Sequence, residues 1–280
     1  MIPACKDCNH LIYKRAEDES KADALAWVFK NDKEMVPYYF NFPPLGDDEV
    51  RCKILHTGLC HSDVMTVRQK WGPAHYPVCP GHEVIAEITH VGKNVKDKHV
   101  GQIVGYGPCR KSCWTCKTCL KGFDNLCPNI EFPEKLLYGK YFGGYATHIQ
   151  QPACHAIKVP EGIDISTAAP ILCAGVTVFA PIERFVKDKD ATVGVIGIGG
   201  LGHLAIQYTK ALGNKVTGFT TSEQKVEEIK KLGADQVIVV DKEFKSLKDH
   251  QNEFDFLINT LPISSTETLA AYIGTLASNG

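Results

Sequence analysis

The chain has 280 residues, 44% of them hydrophobic, with 31 basic against 32 acidic side chains and a net charge of −1. That length suits two domains and the apolar share suffices for a core, while the charge balance leaves no electrostatic footprint for nucleic acid or an anionic membrane. No apolar run reaches the roughly 18 residues of a membrane span, and residues 1–14 lack the apolar segment of a signal peptide, so a cytoplasmic protein without membrane contact is expected.

Twelve cysteines are many, and in a reducing compartment they read as metal ligands or buried thiols before disulfides. Residues 1–22 read as a flexible leader. It holds a Cys5/Cys8 pair with no second half nearby and a solvated run over residues 17–19. Short segments at 24–29, 36–42, 50–55, 84–88 and 100–104, bounded by Asn, Pro and Gly, predict strands. Val50, Cys52 and Ile54 alternate with polar residues, so Cys52 is expected in the core. Strands of this length and spacing predict a compact antiparallel barrel or sandwich over 23–162.

Within that region Gly58-Leu59-Cys60-His61-Ser62-Asp63 and Pro80-Gly81-His82-Glu83 set a thiol, an imidazole and a carboxylate at turn positions. Cys and neutral His are zinc ligands, and Cys60 with His82 reads as part of a catalytic zinc site, the alternative being a buried cysteine and a hydrogen-bonded loop histidine. Asp63 either orients a ligand from behind or caps a helix. Further on, Cys113, Cys116, Cys119 and Cys127 follow spacings that let four thiolates close on one ion. With no coordination position left open, that lobe (109–128) is read as a structural zinc site; an iron–sulfur cluster or redox thiols are the lesser alternatives. Cys109 is surplus to the four.

From about Ile163 the pattern changes to an α/β alternation over 163–280. Residues 191–196 predict a buried strand that runs into Gly197-Ile198-Gly199-Gly200-Leu201-Gly202 and an apolar helix, the setting in which a glycine-rich turn binds a dinucleotide pyrophosphate. The second strand, 215–219, ends in Thr220-Thr221-Ser222 with Lys225 close behind. An acid at that position would suit a free ribose hydroxyl; hydroxyls and a cation suit a 2′-phosphate, so NADP(H) is expected over NAD(H). The alternative is a Ser222 helix cap with Lys225 facing solvent, and Glu223 speaks against the phosphate. Further strands are predicted near 237 and 256 and a helix over 266–277.

These residues together resemble the zinc-dependent medium-chain alcohol dehydrogenases, most closely the cinnamyl alcohol dehydrogenase branch, from about Ala24 to Gly280. The segment Leu172-Cys173-Ala174-Gly175-Val176-Thr177 belongs to the same resemblance. It implies a GroES-like barrel domain followed by a Rossmann domain, an α/β plus β fold, with the active site in a cleft between them. It also implies two zinc ions per chain: a catalytic one on Cys60, His82 and Cys173, with Glu83 able to enter the coordination, and a structural one on Cys113, Cys116, Cys119 and Cys127. The activity implied is reversible hydride transfer between NADP(H) and a primary alcohol or aldehyde, with Ser62 carrying the hydroxyl proton outward.

Two features depart from the family. The family often has a histidine in its proton relay where this chain has Met65. A full coenzyme domain has about six parallel strands, whereas four are predicted here, so the doubly wound sheet is incomplete at its C-terminal end. The strand that forms the family's homodimer edge is among those missing. A truncated, catalytically inactive zinc- and nucleotide-binding remnant is therefore the alternative function. Trp71 and Phe132 are candidate walls of a substrate pocket.

Overall fold

The computed structural model describes residues 13–72, 75–131, 135–138, 140–262, 265–278 and 280, and the chain divides into two compact units that meet at Cys173 and Ala174. That division lies later than the change of pattern at Ile163, because Ala168 and Ala169 bury themselves beside Ile85 in the first unit.

In the first unit, β1 (Lys14–Arg15), β2 (Ala24–Phe29) and β3 (Met35–Asn41) form an antiparallel sheet in the order β1-β3-β2. A second antiparallel sheet contains β4 (Glu49–Thr57), β5 (Val84–Val91), β6 (Ile103–Tyr106), β7 (His148–Pro152) and β8 (Ile157–Lys158), in the order β7-β4-β5-β6-β8. Alternation builds the core. Val50 and Cys52 on β4 are fully buried, as are Val84, Ala86 and Ile88 on β5, and Lys53 is exposed. The β4–β5 ladder slips at Arg51/Cys52 and again at Ile54/His56; such irregularities bend a strand and re-aim its end, here just before Gly58. Among the described residues the unit also has the short helices α1 (His61–Val67) and α2 (Lys117–Leu120).

The expectation of a flexible leader through residue 22 is corrected for residues 13–22. Lys14 and Arg15 pair with Asn41 and Phe40. Tyr13 is 2% exposed, with its ring centroid 5.0 Å from Phe40 and 5.1 Å from Phe142, and its hydroxyl donates to the Gln150 carbonyl. One aromatic side chain buries enough area to fix a short polar segment that has no pattern of its own. Residues 1–12, with Cys5 and Cys8, lie outside the described residues, as does Phe132. The strand expected at 100–104 begins at Ile103, because residues 100 and 101 make a turn that leaves Val100 exposed.

The second unit is a parallel sheet in the order β11-β10-β9-β12, formed by β9 (Thr192–Ile196), β10 (Lys215–Thr220), β11 (Gln236–Val239) and β12 (Phe256–Asn259). These are the four strands the sequence predicts. Among the described residues, the helices α3 (Ala174–Phe185), α4 (Gly202–Ala211), α5 (Val226–Lys231) and α6 (Thr266–Ile273) accompany them. Successive strand residues serve opposite faces. Val195 packs with Ile182, Ile206 and Ile229, while its neighbour Ile196 packs with Phe219, Phe254 and Tyr272. The sheet is thus covered on both sides, as near-continuous apolar parallel strands require.

Candidate metal and nucleotide sites

Cys60 sits at the N-cap of α1 with extended backbone, and its sulfur accepts the Ser62 N–H at 3.5 Å. The Asp63 carboxylate returns to the Cys60 N–H at 3.2 Å, which closes a capping box. The other Asp63 oxygen lies 2.9 Å from His82 Nδ1 and accepts the Gly81 N–H at 2.9 Å. Both sequence readings of Asp63 therefore hold at once: it caps the helix and it orients the imidazole.

His82, 1% exposed, turns its Nε2 to Cys173 Sγ, a hydrogen-bond contact of 3.2 Å. Glu83 is 2% exposed and packs so tightly against Gly58 that a Cβ there would lie 1.9 Å from its Oε2. The donor atoms of Cys60, His82, Glu83 and Cys173 all lie within 4.8 Å of one another. The sequence thus brings residues 60, 82, 83 and 173 together inside the first unit alone. Two sulfurs, an imidazole and a carboxylate are the ligand types of zinc.

The electrostatics of the cluster fit a cation. Hydrogen bonds from Cys173 and then His82 draw the Cys60 thiol down to about 3. The same sulfur–sulfur bond, with burial, pushes the Cys173 thiol far up. Burial opposes charge on His82, yet its bonds to Asp63 and Cys60 prevail and raise it to about 9. Burial and the charge on Cys60 raise Glu83 to about 7. The cluster holds protons that a bound cation would displace.

A pocket of about 400 Å³ opens on His82 and Cys173, walled by Ser62, Trp71, Pro108, Leu136 and Tyr138. Trp71 is where the sequence placed it. Tyr138, its ring 5.6 Å from His82, carries no local signal: only the fold brings it back to the ligand loop.

In the lobe, Cys113, Cys116, Cys119 and Cys127 present their sulfurs within 4.8 Å of one another, and Cys109 is not among them. A tetrahedral ion with bonds of about 2.3 Å needs sulfurs about 3.8 Å apart; Cys113 and Cys119 are at 3.9 Å and Cys116 and Cys119 at 3.4 Å. Backbone N–H groups of Cys113, Cys116 and Cys119 donate to the sulfurs of Cys127, Cys113 and Cys116, as suits thiolates. The sulfurs are too far apart for disulfides, and all four cysteines are free.

In the second unit, β9 runs into Gly197, whose φ of +83° makes the turn. A Cβ on Gly202 would stand 2.0 Å from the Gly197 oxygen, whereas Gly199 and Gly200 face open space within 4 Å. A side chain there would fill a cradle that a pyrophosphate fits. Leu201 takes the N-cap position of α4. At the end of β10, Thr220 is half-buried and Thr221 and Lys225 are exposed. The Ser222 N–H donates to Thr220 Oγ1 at 3.2 Å. Ser222 stands at the N-cap with extended backbone, though without a side-chain capping bond, and Lys225 faces solvent, so the helix-cap alternative has its positions as well.

Residues 46–161, in the first unit, match the alcohol dehydrogenase GroES-like domain, and residues 200–280, in the second, match the zinc-binding dehydrogenase family. A "Probable mannitol dehydrogenase" of Medicago sativa is 37% identical over 272 residues, covering 95% of this chain and 75% of that protein. Cinnamyl alcohol dehydrogenase from Sorghum bicolor superposes with a TM-score of 0.83 at 33% identity, over 91% of this chain and 73% of that one. CAD from Helicobacter pylori, complexed with NADP(H), superposes with a TM-score of 0.82 at 30% identity, over 92% and 74%. In the described residues, no helix is long and apolar enough to cross a membrane. A barrel-like unit and a Rossmann-like unit each matched in turn, together with this extent of identity, mean that the chain belongs to the zinc-dependent alcohol dehydrogenase family.

Proposed function

We propose that the chain is an NADP(H)-dependent alcohol dehydrogenase or aldehyde reductase acting on a primary alcohol or aldehyde, aromatic or allylic ones included. The observation that carries this reading is the convergence of Cys60, His82, Glu83 and Cys173 at the base of an open, largely apolar pocket. Cys60, His82 and Cys173 would hold the catalytic zinc, with Glu83 beside them, and Cys113, Cys116, Cys119 and Cys127 a second, structural one. When bound, the catalytic zinc supplies Lewis acidity toward a substrate oxygen, and the nicotinamide supplies the hydride.

The remaining work falls to the chain. Asp63 holds the His82 ring with Nε2 facing the cluster. Ser62, on the pocket wall, would pass the substrate hydroxyl proton outward. Trp71, Leu136 and Tyr138 offer an apolar wall to a flat substrate and exclude water from the ligand cluster. In the second unit, Gly197, Gly199, Gly200, Leu201 and Gly202 would receive the pyrophosphate. Thr220, Thr221, Ser222 and Lys225 would receive the 2′-phosphate, a preference supported by the absence of an acid over 220–222 and by the NADP(H) bound to the Helicobacter pylori CAD.

Turnover of an aromatic aldehyde with NADPH, read against metal content, tests the proposal. Purified protein should carry two zincs per chain. His82→Ala should abolish turnover and leave one zinc; unchanged turnover would reject the assignment. Lys225→Ala should weaken NADPH binding more than NADH binding, and an equal loss would reject the NADP(H) preference.

A further inference from the structure

The segment Gly143-Gly144-Tyr145, far from the ligands in sequence, is laced onto the loop that carries His82. Gly143 N–H donates to the Cys79 carbonyl at 2.9 Å, Gly144 N–H to Gly81 at 2.7 Å and Tyr145 N–H to Pro80 at 3.1 Å. The Tyr145 ring covers Gly81 so closely that a Cβ on that glycine would come within 2.8 Å of it. Its hydroxyl reaches Asp63 Oδ2 at 3.2 Å. Asp63 is 2% exposed, and a buried carboxylate must have its lone pairs satisfied. One oxygen serves Gly81 N–H and His82 Nδ1; the other serves Cys60 N–H and the Tyr145 hydroxyl. Burial and the Asp63 charge push the Tyr145 phenol up, so it stays a donor.

We propose that Tyr145 is a positioning residue for the metal site: its hydroxyl pins the Asp63 carboxylate, and Asp63 in turn fixes the His82 ring with Nε2 aimed at the ligand cluster. The inference rests on the reading that Cys60, His82 and Cys173 hold a zinc. Tyr145 touches neither the ligands' donor atoms nor the pocket. It acts through one carboxylate, as groups behind a metal-bound histidine do. Losing it leaves Asp63 Oδ2 with the Cys60 N–H alone and frees the carboxylate to rotate.

The test compares the full-length wild type with Tyr145→Phe, which keeps the ring on Gly81 and removes only the hydroxyl. Zinc release to a chromophoric chelator and the visible spectrum after Co2+ substitution are the readouts. Tyr145→Phe should release the first-site zinc about 10-fold faster, shift the Co2+ bands of that site and leave release from the four-cysteine lobe unchanged. In an Asp63→Asn background, adding Tyr145→Phe should change release by no more than about twofold, since both changes act on one contact. Equal release rates and spectra, or fully multiplicative effects in the double variant, overturn the proposal. So does a Tyr145→Phe protein that fails to fold, which would make the hydroxyl an element of stability. A wild type that holds zinc only in the lobe, with His82→Ala no different, sinks the metal assignment and this inference together. A wild type with two zincs and an unaltered Tyr145→Phe sinks this inference alone.

Discussion

At the scale of single residues, the proposed metal cluster is a problem of charge. His82 is held protonated up to about 9 by Asp63 and Cys60 despite its burial, and the Cys173 thiol is pushed up by Cys60. A metal can bind only once those protons leave, so raised values mean that acid competes with the ion. Zinc affinity of the Cys60–His82–Cys173 site should therefore fall as pH drops below about 9, about tenfold per unit for each proton released. Competition with a chelator of known affinity between pH 6 and 8 measures it; a flat profile would contradict the protonation pattern. Gly58 is the second residue-scale constraint. Gly58→Ala drives a methyl into Glu83 Oε2 and should displace the carboxylate from the cluster, which altered Co2+ bands would report.

At the scale of elements, the glycine-bearing turn after β9 and the aromatic cluster set the expectations. Gly202→Ala forces a Cβ against the Gly197 carbonyl at 2.0 Å, a backbone contact that cannot swing away. NADPH binding, followed by fluorescence, should be lost, and the second unit should melt earlier. Phe40 is fully buried among Tyr13, Phe42 and Phe142. Phe40→Ala should cost about 3–5 kcal/mol, visible as a lower midpoint in denaturant. The elements also separate what was legible in the sequence from what was not. Strands β2 to β5 and β9 to β12 were readable because period-two alternation or an unbroken apolar run marks them. The four-cysteine lobe and the glycine turn were readable because their ligands or turn residues are close in sequence. Strands β7 and β8 were missed. They are short and lack alternation, and their partners are distant: Val50 pairs with Gln151 and Val104 with Lys158. Tyr13, Tyr138 and Tyr145 were missed for the same reason, since each is held by a contact distant in sequence, with Phe40, His82 and Asp63 respectively, that only the folded chain supplies.

At the scale of the whole molecule, the proposed metal sites and the proposed nucleotide site lie in separate units. The first unit holds both cysteine-bearing clusters, and the second holds the glycine turn and the hydroxyl-rich end of β10. Chelation should therefore lower the melting temperature of the first unit and leave NADPH binding by the second intact. Differential scanning calorimetry with and without chelator, paired with NADPH titration, would show it, and a loss of NADPH affinity on chelation would contradict it.

The first cluster has a mechanical consequence as well. Its candidate ligands lie at positions 60, 82–83 and 173, so one ion would close loops of very unequal length, the longer running from Glu83 round to Cys173. Closing a long loop removes more freedom from the unfolded chain than closing a short one. An ion lodged there would work as a crosslink across most of the barrel, and emptying the site would slacken the fold as a cut stitch loosens a seam.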